Sequence, residues 1–387
     1  MRYYLSDNHV LKWLETPALY DIKKDELYEL DKEGFEFLRT CTYKEGCEID
    51  RIDADFINFC MTEGILRTSP CDREPAPIIK SPVPSLRYLE LQVTDKCNLR
   101  CKHCFIGVPQ NNELSLENIR KVLIEFEEMQ GLRVMITGGE PLMHSGFNKI
   151  NAILPSLSCR KVLFTNGLLL NDEIIRSLNF NEIQFSIDGM EAGHDALRGK
   201  GTYKRAMKNL EKALELEISV SAATVVHSKN LDEFDEMEKF FRKLGIKDWT
   251  VDIPSPVGNL HKNKSFQISP DIAGKYLSYG FGESYHGSEE GFACGVHLCS
   301  VLATGIIAKC AFYAETPLGN INEGLRLVWQ KLKPIRLEEL ECHAISCPVI
   351  NSCKGGCRYR ASVCNQNGDK YRKDIYKCHG YGIIKHK

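Results

Sequence analysis

The chain has 387 residues, of which 43% are hydrophobic and 26% are charged, and its formal net charge is −2. This balance argues against a strongly basic nucleic-acid-binding surface and against a long disordered tail. No apolar run reaches the roughly 18 to 20 residues that cross a membrane, and the N-terminus lacks the basic and apolar segments of a signal peptide. We therefore expect a cytoplasmic protein without a membrane or nucleic-acid partner.

The first predicted unit comprises residues 1–80. Short strands are predicted at 3–5 and 26–31. Helical spacing of the apolar residues predicts helices over 30–41 and 53–66. These elements give a small α/β unit ahead of the main domain.

Residues 70–85 carry five prolines in sixteen residues, which predicts an extended linker. Beyond it, six strand-like segments alternate with five helix-like segments, the pattern of a parallel α/β sheet. Such a sheet places its chemistry at the C-terminal ends of its strands. The predicted strands are 86–94, 133–139, 161–167, 182–189, 220–226 and 249–258, and the predicted helices are 115–131, 144–157, 172–179, 202–216 and 231–245.

Cysteine is the unusual part of the composition. There are 17 cysteines, and nine of them lie between Cys294 and Cys378. Disulfides are unstable in a reducing cytosol, so dense thiols there point to metal or iron–sulfur ligation. Five scattered cysteines are expected instead to be buried apolar thiols. These are Cys41, Cys47, Cys60, Cys71 and Cys159.

Cys97, Cys101 and Cys104 form a CxxxCxxC array directly after the first strand of the predicted sheet. Three thiolates can hold three irons of a [4Fe–4S] cluster and leave the fourth iron open. An open coordination site is where a metal performs chemistry. A zinc site or an accidental array is the alternative. The GGEP segment at 138–141, at the end of the next strand, favours the cluster.

The cysteine array and GGEP together resemble the radical SAM superfamily over residues 86–258. The resemblance implies a partial (β/α)6 TIM barrel in which the open iron binds S-adenosylmethionine (SAM). The cluster then donates an electron, and a 5′-deoxyadenosyl radical results that abstracts hydrogen from carbon.

The same resemblance assigns six residues to the cofactor. His103 takes the place of an aromatic residue, Gly138 and Gly139 allow close approach, and Glu140 accepts from the methionine ammonium. Ser186 contacts the ribose or carboxylate, and Arg198 pairs with the SAM carboxylate. Ser186 as an ordinary strand residue and Arg198 as a surface arginine remain the alternatives.

The C-terminal cysteines resemble the SPASM domain, in which Cys294, Gly305 and Cys310 fit the opening pattern and Cys342 departs from the later one. The resemblance implies two auxiliary [4Fe–4S] clusters and three clusters in all. One or two zinc ribbons are the alternative. The implied ligands are Cys294, Cys299, Cys310 and Cys357 for the first auxiliary cluster, and Cys342, Cys347, Cys353 and Cys378 for the second, with Cys364 a spare or a substitute for Cys378.

Enzymes with SPASM domains often act on peptides, and the N-terminal unit is similar to the winged-helix-like RiPP recognition element, which binds leader peptides. We therefore expect a peptide maturase that forms a thioether or carbon–carbon cross-link. Its partners would be a precursor peptide with a leader and an electron donor such as flavodoxin or ferredoxin. The predicted domains are 1–80, 81–258, a bridge over 259–293, and the SPASM domain over 294–387.

Other functions remain open. One alternative is an enzyme of cofactor biosynthesis that oxidises a tetrapyrrole side chain or acts on a quinone cofactor, and another is a scaffold or electron carrier. The N-terminal unit could also be a structural cap. Sulfatase-maturing relatives place an aspartate directly after the last cysteine of the first SPASM stretch, whereas Ala311 follows Cys310 here, which argues against that activity. Glu315, Tyr313 and His297 are nearby acids or bases without an assigned role.

Overall fold

The computed structural model describes residues 1–48, 53–70, 78–282, 291–365 and 367–384. Cys71, which was expected to be a buried thiol, lies outside the described residues. No helix in these ranges is both long and apolar enough to span a bilayer.

The N-terminal unit consists of two small antiparallel sheets and two helices. The helices predicted over 30–41 and 53–66 are present. Four of the strands were not predicted. Two of them are only two residues long. In the other two, four of the five residues are buried, so polar alternation is missing. The elements are β1 (Arg2–Leu5), β2 (His9–Trp13), β3 (Pro17–Asp21), β4 (Glu26–Glu29), α1 (Lys32–Thr40), β5 (Cys47–Glu48), α2 (Ala54–Thr62) and β6 (Leu66–Arg67). The sheets have the orders β2-β3-β4 and β5-β1-β6.

The central domain is a curved parallel sheet whose six strands were all predicted. The last strand ends at Asp252, six residues before the predicted end, because Pro254 and Pro256 cannot donate to a sheet ladder. The elements are β7 (Tyr88–Thr94), α3 (Leu116–Glu128), β8 (Arg133–Gly138), α4 (Phe147–Ile153), β9 (Arg160–Thr165), α5 (Asp172–Ser177), β10 (Glu182–Ser186), α6 (Glu191–Arg198), α7 (Thr202–Glu215), β11 (Ser219–Val225), α8 (Phe234–Leu244) and β12 (Asp248–Asp252).

Helix α3 illustrates why these segments form helices. Ser115 caps its N-terminus by accepting from the backbone N–H of Asn118. Its buried residues are spaced three or four apart, so they form one apolar face against the sheet. The prediction of a mixed α/β fold with a partial barrel is confirmed.

The C-terminal region extends this sheet. Its first strand pairs in parallel with β7, and two more strands follow antiparallel, which gives the order β12-β11-β10-β9-β8-β7-β13-β14-β15. The remaining elements are α9 (Asn259–Lys262), α10 (Pro270–Ala273), β13 (Leu298–Val301), β14 (Ile306–Ala308), β15 (Gly319–Asn320), α11 (Leu325–Trp329), α12 (Glu341–Ala344), α13 (Ile350–Cys353), α14 (Arg358–Cys364) and α15 (Ile375–Gly380).

The first part of the C-terminal region shares a large apolar core with α3. Val301, Ile307, Val328 and Trp329 are buried there with β7. An apolar core therefore stabilises this part of the cysteine-rich region. The strands β13 and β14 are too short to show a period in the sequence, so only their pairing with β7 reveals them.

The N-terminal unit packs against the N-terminal ends of the central strands, away from the strand ends that carry the cysteine array. Arg160 donates to the backbone carbonyls of Ile22 and Lys23 at 2.8 Å. Glu15 accepts from Arg87 at 2.7 Å and from the backbone N–H of Ser85 at 2.6 Å. Burial opposes ionisation of Glu15, but these hydrogen bonds outweigh it and lower the pKa of the carboxyl to about 2.

We predict that Glu15→Gln lowers the free energy of unfolding by about 1–3 kcal/mol, because a charged hydrogen-bonding group at this junction is lost. Urea denaturation followed by circular dichroism measures the change. Glu29→Gln, at an exposed position on β4, is the matched control and should change stability by less than about 0.5 kcal/mol. Equal effects of the two substitutions would contradict the prediction.

Candidate active site and cysteine clusters

The loop that carries Cys97, Cys101 and Cys104 is fixed by the end of β8. The backbone N–H of Gly139 donates to Thr94 at 2.8 Å, and that of Glu140 donates to Lys96 at 2.8 Å. A Cβ atom on Gly138 would lie 2.4 Å from the Thr94 carbonyl oxygen, and one on Gly139 would lie 2.4 Å from that of Lys96. Only glycines therefore permit this packing, and the glycine pair positions the cysteine loop.

The three cysteines line one cavity of about 180 Å³, which we call the SAM-side cavity. Five of the six predicted cofactor residues line it with them. These are His103, Gly138, Gly139, Ser186 and Arg198. Burial raises the pKa of the Cys101 thiol to about 11, so iron binding at this site replaces a proton.

Glu140 does not line the SAM-side cavity and has no exposed surface. Its carboxylate accepts from the Thr165 hydroxyl and from the Asn166 backbone N–H, both at 2.9 Å. Burial raises its pKa to about 7, against the effect of these hydrogen bonds. The structure thus places Glu140 behind the cavity wall, where it holds Asn166, a lining residue, in position.

Arg198 is not a surface arginine. Its Nε donates to Asp188 at 2.5 Å, and Asp188 also accepts from the Val225 backbone N–H at 2.9 Å. Burial alone would raise the pKa of Asp188, but Arg198 holds it well below its usual range. Arg198 is therefore a fixed cation beside Cys97 and Cys101, and Asp188, two residues after Ser186, was missed as its partner.

His103 has a free ring nitrogen. Its Nε2 lies 4.0 Å from Asp188, and its buried Nδ1 has no hydrogen-bond partner among the described residues. Burial lowers its pKa to about 4, so the ring is neutral at pH 7. An unsatisfied nitrogen and a buried guanidinium in a cavity with three thiols fit an anionic cluster and a polar cofactor.

A second set of contacts that fixes the cysteine loop was missed by the sequence analysis. The backbone N–H of Asn259 donates to Cys104 at 2.9 Å, and its side-chain amide donates to Cys101 at 3.0 Å. Gly258 has a φ of +56°, and a Cβ there would lie 2.4 Å from the Cys104 carbonyl oxygen. Both residues follow the last central strand, so a glycine after a strand end was the available signal.

The structure brings the four predicted ligands of the second auxiliary cluster together. Cys342, Cys347, Cys353 and Cys378 line one small cavity. Cys364 does not line it, so the geometry favours Cys378 over Cys364.

The first auxiliary group is brought together only in part. Cys294, Cys310 and Cys357 line a cavity of about 770 Å³, which we call the large cavity. Cys299 does not line it. Its neighbours on β13, Leu298 and Ser300, face the cavity, and alternate residues of a strand point to opposite faces. Cys299 is buried in the apolar core, but its thiol is near enough to Glu90 and Cys310 for their charges to add to burial in raising its pKa.

The large cavity contains a buried cation that fits a cluster. The ammonium of Lys309 is buried and has no hydrogen-bond partner among the described residues. The aliphatic carbons of the Lys309 side chain pack against Gly295, next to Cys294. A cluster with thiolate ligands is anionic, so it would satisfy this charge. Across the described ranges no three Cys, His, Asp or Glu side chains are placed to hold a single metal ion.

The family comparison agrees with this geometry. The model of the radical SAM superfamily matches residues 91–241. These residues form a radical SAM domain. The predicted enzyme class is confirmed, and this domain uses a [4Fe–4S] cluster and SAM. The match covers most of β7, the cysteine loop and β8 to β11, but neither β12 nor the C-terminal cysteines.

Relatives and solved structures extend the likeness. The AdoMet-dependent heme synthase of Oleidesulfovibrio alaskensis is 27% identical over 329 residues, 72% of this chain and 84% of that protein. The sporulation killing factor maturation protein SkfB of Bacillus subtilis is 28% identical over 281 residues, 67% of this chain and 68% of that protein. The crystal structure of Streptococcus suis SuiB bound to precursor peptide SuiA matches with a TM-score of 0.71 at 17% identity, covering 97% of this chain and 100% of that one, which shows a shared fold.

We predict that Gly258→Ala lowers the rate of reductive SAM cleavage by about a hundredfold, because a shift of about 1 Å in the cysteine loop misplaces the reacting groups. The formation of 5′-deoxyadenosine with dithionite measures the rate. Gly245→Ala is the matched control: its φ is +77°, but no atom lies within 4 Å of the added Cβ. It should cost only about 1–2 kcal/mol of backbone strain. If Gly245→Ala lowers the rate of SAM cleavage as much as Gly258→Ala does, the role of Gly258 in positioning the cysteine loop is refuted.

We also predict that Cys299→Ala retains the iron of the wild-type chain, whereas Cys310→Ala loses about four irons. The reason is that Cys310 lines the large cavity and Cys299 does not. Iron is counted after anaerobic reconstitution. Equal losses in the two variants would make Cys299 a ligand.

Proposed function

We propose that the chain is a radical SAM/SPASM peptide maturase that forms a thioether or carbon–carbon cross-link in a ribosomal precursor peptide. The observation that carries this proposal is the position of the large cavity. It shares Phe105 and Gly138 with the SAM-side cavity and reaches the thiols of the C-terminal region. A peptide side chain in it would lie between the two groups of cysteines. That SkfB is a maturation protein and that SuiB binds precursor peptide SuiA support the same substrate class.

The proposal includes three [4Fe–4S] clusters. Cys97, Cys101 and Cys104 hold the first, whose cysteine-free iron binds SAM. When bound, this cluster supplies the electron that cleaves SAM to the 5′-deoxyadenosyl radical, which takes hydrogen from the peptide. Arg198 and Ser186 orient the cofactor, and Gly138 and Gly139 allow it close to the backbone. The second auxiliary cluster is held by Cys342, Cys347, Cys353 and Cys378.

The first auxiliary cluster would be held by Cys294, Cys310 and Cys357. Lys309 neutralises part of its charge within the large cavity. An external donor such as flavodoxin or ferredoxin supplies electrons, and a reducing cytosol keeps the thiols available. The domain limits 1–80, 81–258, 259–293 and 294–387 are part of this proposal.

The N-terminal unit would recognise the leader. Among the described residues β4 pairs only with β3, so it is an edge strand open to a further strand. Its Tyr28 contacts Phe59 of α2 edge to face at 6.4 Å, and Phe59 is exposed. An extended leader added beside β4 would gain backbone hydrogen bonds from the edge and apolar contact from these rings.

A second candidate is the biosynthesis of a cofactor such as a tetrapyrrole. The heme synthase of O. alaskensis supports it, because that protein aligns over 84% of its length. SkfB aligns over 67% of this chain and the heme synthase over 72%, so alignment length does not separate the two candidates. The open edge of β4 and the position of the large cavity between the two groups of cysteines favour the peptide.

The reconstituted chain should contain about twelve irons and form 5′-deoxyadenosine with dithionite. Mixed in turn with synthetic peptides translated from the small open reading frames that flank its gene, it should remove a pair of hydrogen atoms from one of them, which mass spectrometry detects. Replacing Cys97 by Ala should abolish both products. Turnover of a reduced tetrapyrrole in place of the peptide would establish the second candidate, and about four irons would exclude the auxiliary clusters.

A further inference from the structure

One carboxylate in the large cavity has no cationic partner. Tyr88, Glu90 and Gln92 of β7 line this cavity, while the residues between them pack into the apolar core. Asp252 is the only other carboxylate among its described lining residues, and it pairs with Arg360 at 2.8 Å. Glu90 forms no salt bridge within the described part of the chain.

Glu90 is held by neutral donors. The hydroxyl of Ser300, directly opposite on β13, donates to its carboxylate, and the backbone N–H of Ala311 lies near enough to favour the charged form. Burial nevertheless raises the pKa of the Glu90 carboxyl. The ammonium of Lys309 makes no hydrogen bond among the described residues, so it does not neutralise Glu90. A carboxylate has about four acceptor positions, so two donors leave it only partly satisfied.

The walls around Glu90 are largely apolar. Phe105, Phe164, Leu302 and Phe312 line the same cavity. Phe105 and Phe312 contact each other with ring centroids 5.1 Å apart. An acceptor among such walls gives the cavity a directional contact, because polar groups placed in an apolar pocket fix the orientation of a ligand.

Other polar groups of the cavity are less suited to this role. The hydroxyl of Tyr313 is a donor whose pKa is raised by burial, so the phenol stays protonated. The Nδ1 of His297 is bonded to the Ser85 carbonyl at 2.8 Å. His297 lies beside Tyr88 at the start of β7, farthest along the strand from Gly138 and the SAM-side cavity.

We propose that Glu90 is a substrate-contacting residue: its carboxylate accepts a hydrogen bond from an N–H, O–H or ammonium group of the peptide residue that is modified. The proposal rests on the proposed function and names the group that orients the substrate. Ser300 and Ala311 are positioning groups that aim the carboxylate into the cavity.

The test uses the reconstituted full chain and the synthetic peptide that the experiment above shows to be modified. Glu90→Gln keeps the shape of the side chain and removes its charge. We expect kcat/KM for the peptide to fall about ten- to hundredfold, with most of the change in KM, because a charged hydrogen bond is lost. More 5′-deoxyadenosine should form per modified peptide, since an unanchored residue misses the radical.

Glu315→Gln is the matched control, because Glu315 is exposed and does not line the large cavity. It should have the kcat/KM of the wild-type chain. Iron content and circular dichroism check that each variant is assembled. If Glu90→Gln holds less iron than the wild type, Glu90→Asp decides, since it retracts the carboxylate by one methylene.

The outcomes separate the two proposals. If kcat/KM is unchanged in Glu90→Gln, or in Glu90→Asp where Glu90→Gln holds less iron, the role of Glu90 is overturned and the proposed function still stands. A wild-type chain that cleaves SAM but leaves the peptide unmodified overturns both. A fall in kcat/KM with no change in KM or in the ratio of 5′-deoxyadenosine to product assigns Glu90 a structural role and also overturns the proposal.

Discussion

The close approach of Gly138 and Gly139 to the backbone of residues 94–96 is the constraint on which the active site depends. A loop with three cysteines can hold an iron–sulfur cluster with one open iron only if its path is fixed. Here the end of β8 fixes it from one side, and Gly258 with Asn259 fixes it from the other. Any side chain at these glycines would occupy the space of a backbone carbonyl, so their role is steric and not chemical.

The continuation of the sheet by β13 determines where the second group of thiols lies. Because β13 pairs in parallel with β7, the inward residues of both strands line one cavity and the outward residues share the core with α3. Cys299 falls on the outward side and Ser300 on the inward side. The same pairing sets Ser300 opposite Glu90. A shift of one residue in register would exchange these roles.

Aromatic contacts join the radical SAM domain to the C-terminal region. Phe105, next to Cys104, contacts Phe312, and Phe312 stacks on Tyr359 with centroids 5.1 Å apart. Phe312 lies two residues after Cys310 and Tyr359 two after Cys357. The residues that border the thiol groups thus form one continuous wall of the large cavity, which joins the two cysteine regions.

Much of the fold could be predicted because it is local. In the six central strands and their helices, the spacing of apolar residues along the sequence matches the face that each element buries. The cysteine array and the glycine pair lie at the ends of strands. The strands β2 and β3 were not predictable, since they are buried on both faces and show no alternation. The partnership of Arg198 with Asp188 was hidden because it depends on side-chain direction across a loop and not on spacing.

The sequence by itself determined the radical SAM domain, the residues of its cysteine loop and the presence of a second cysteine-rich region. Those features reside in spacing, which the chain carries without folding. Only the tertiary structure decided which thiols share a cavity, that Cys299 is turned into the core, and that Glu140 lies behind the cavity wall. It also placed a carboxylate beside Ala311 from a strand more than 200 residues earlier. Sheet pairing brings distant residues together and selects the face that each one presents, and neither is written in local sequence.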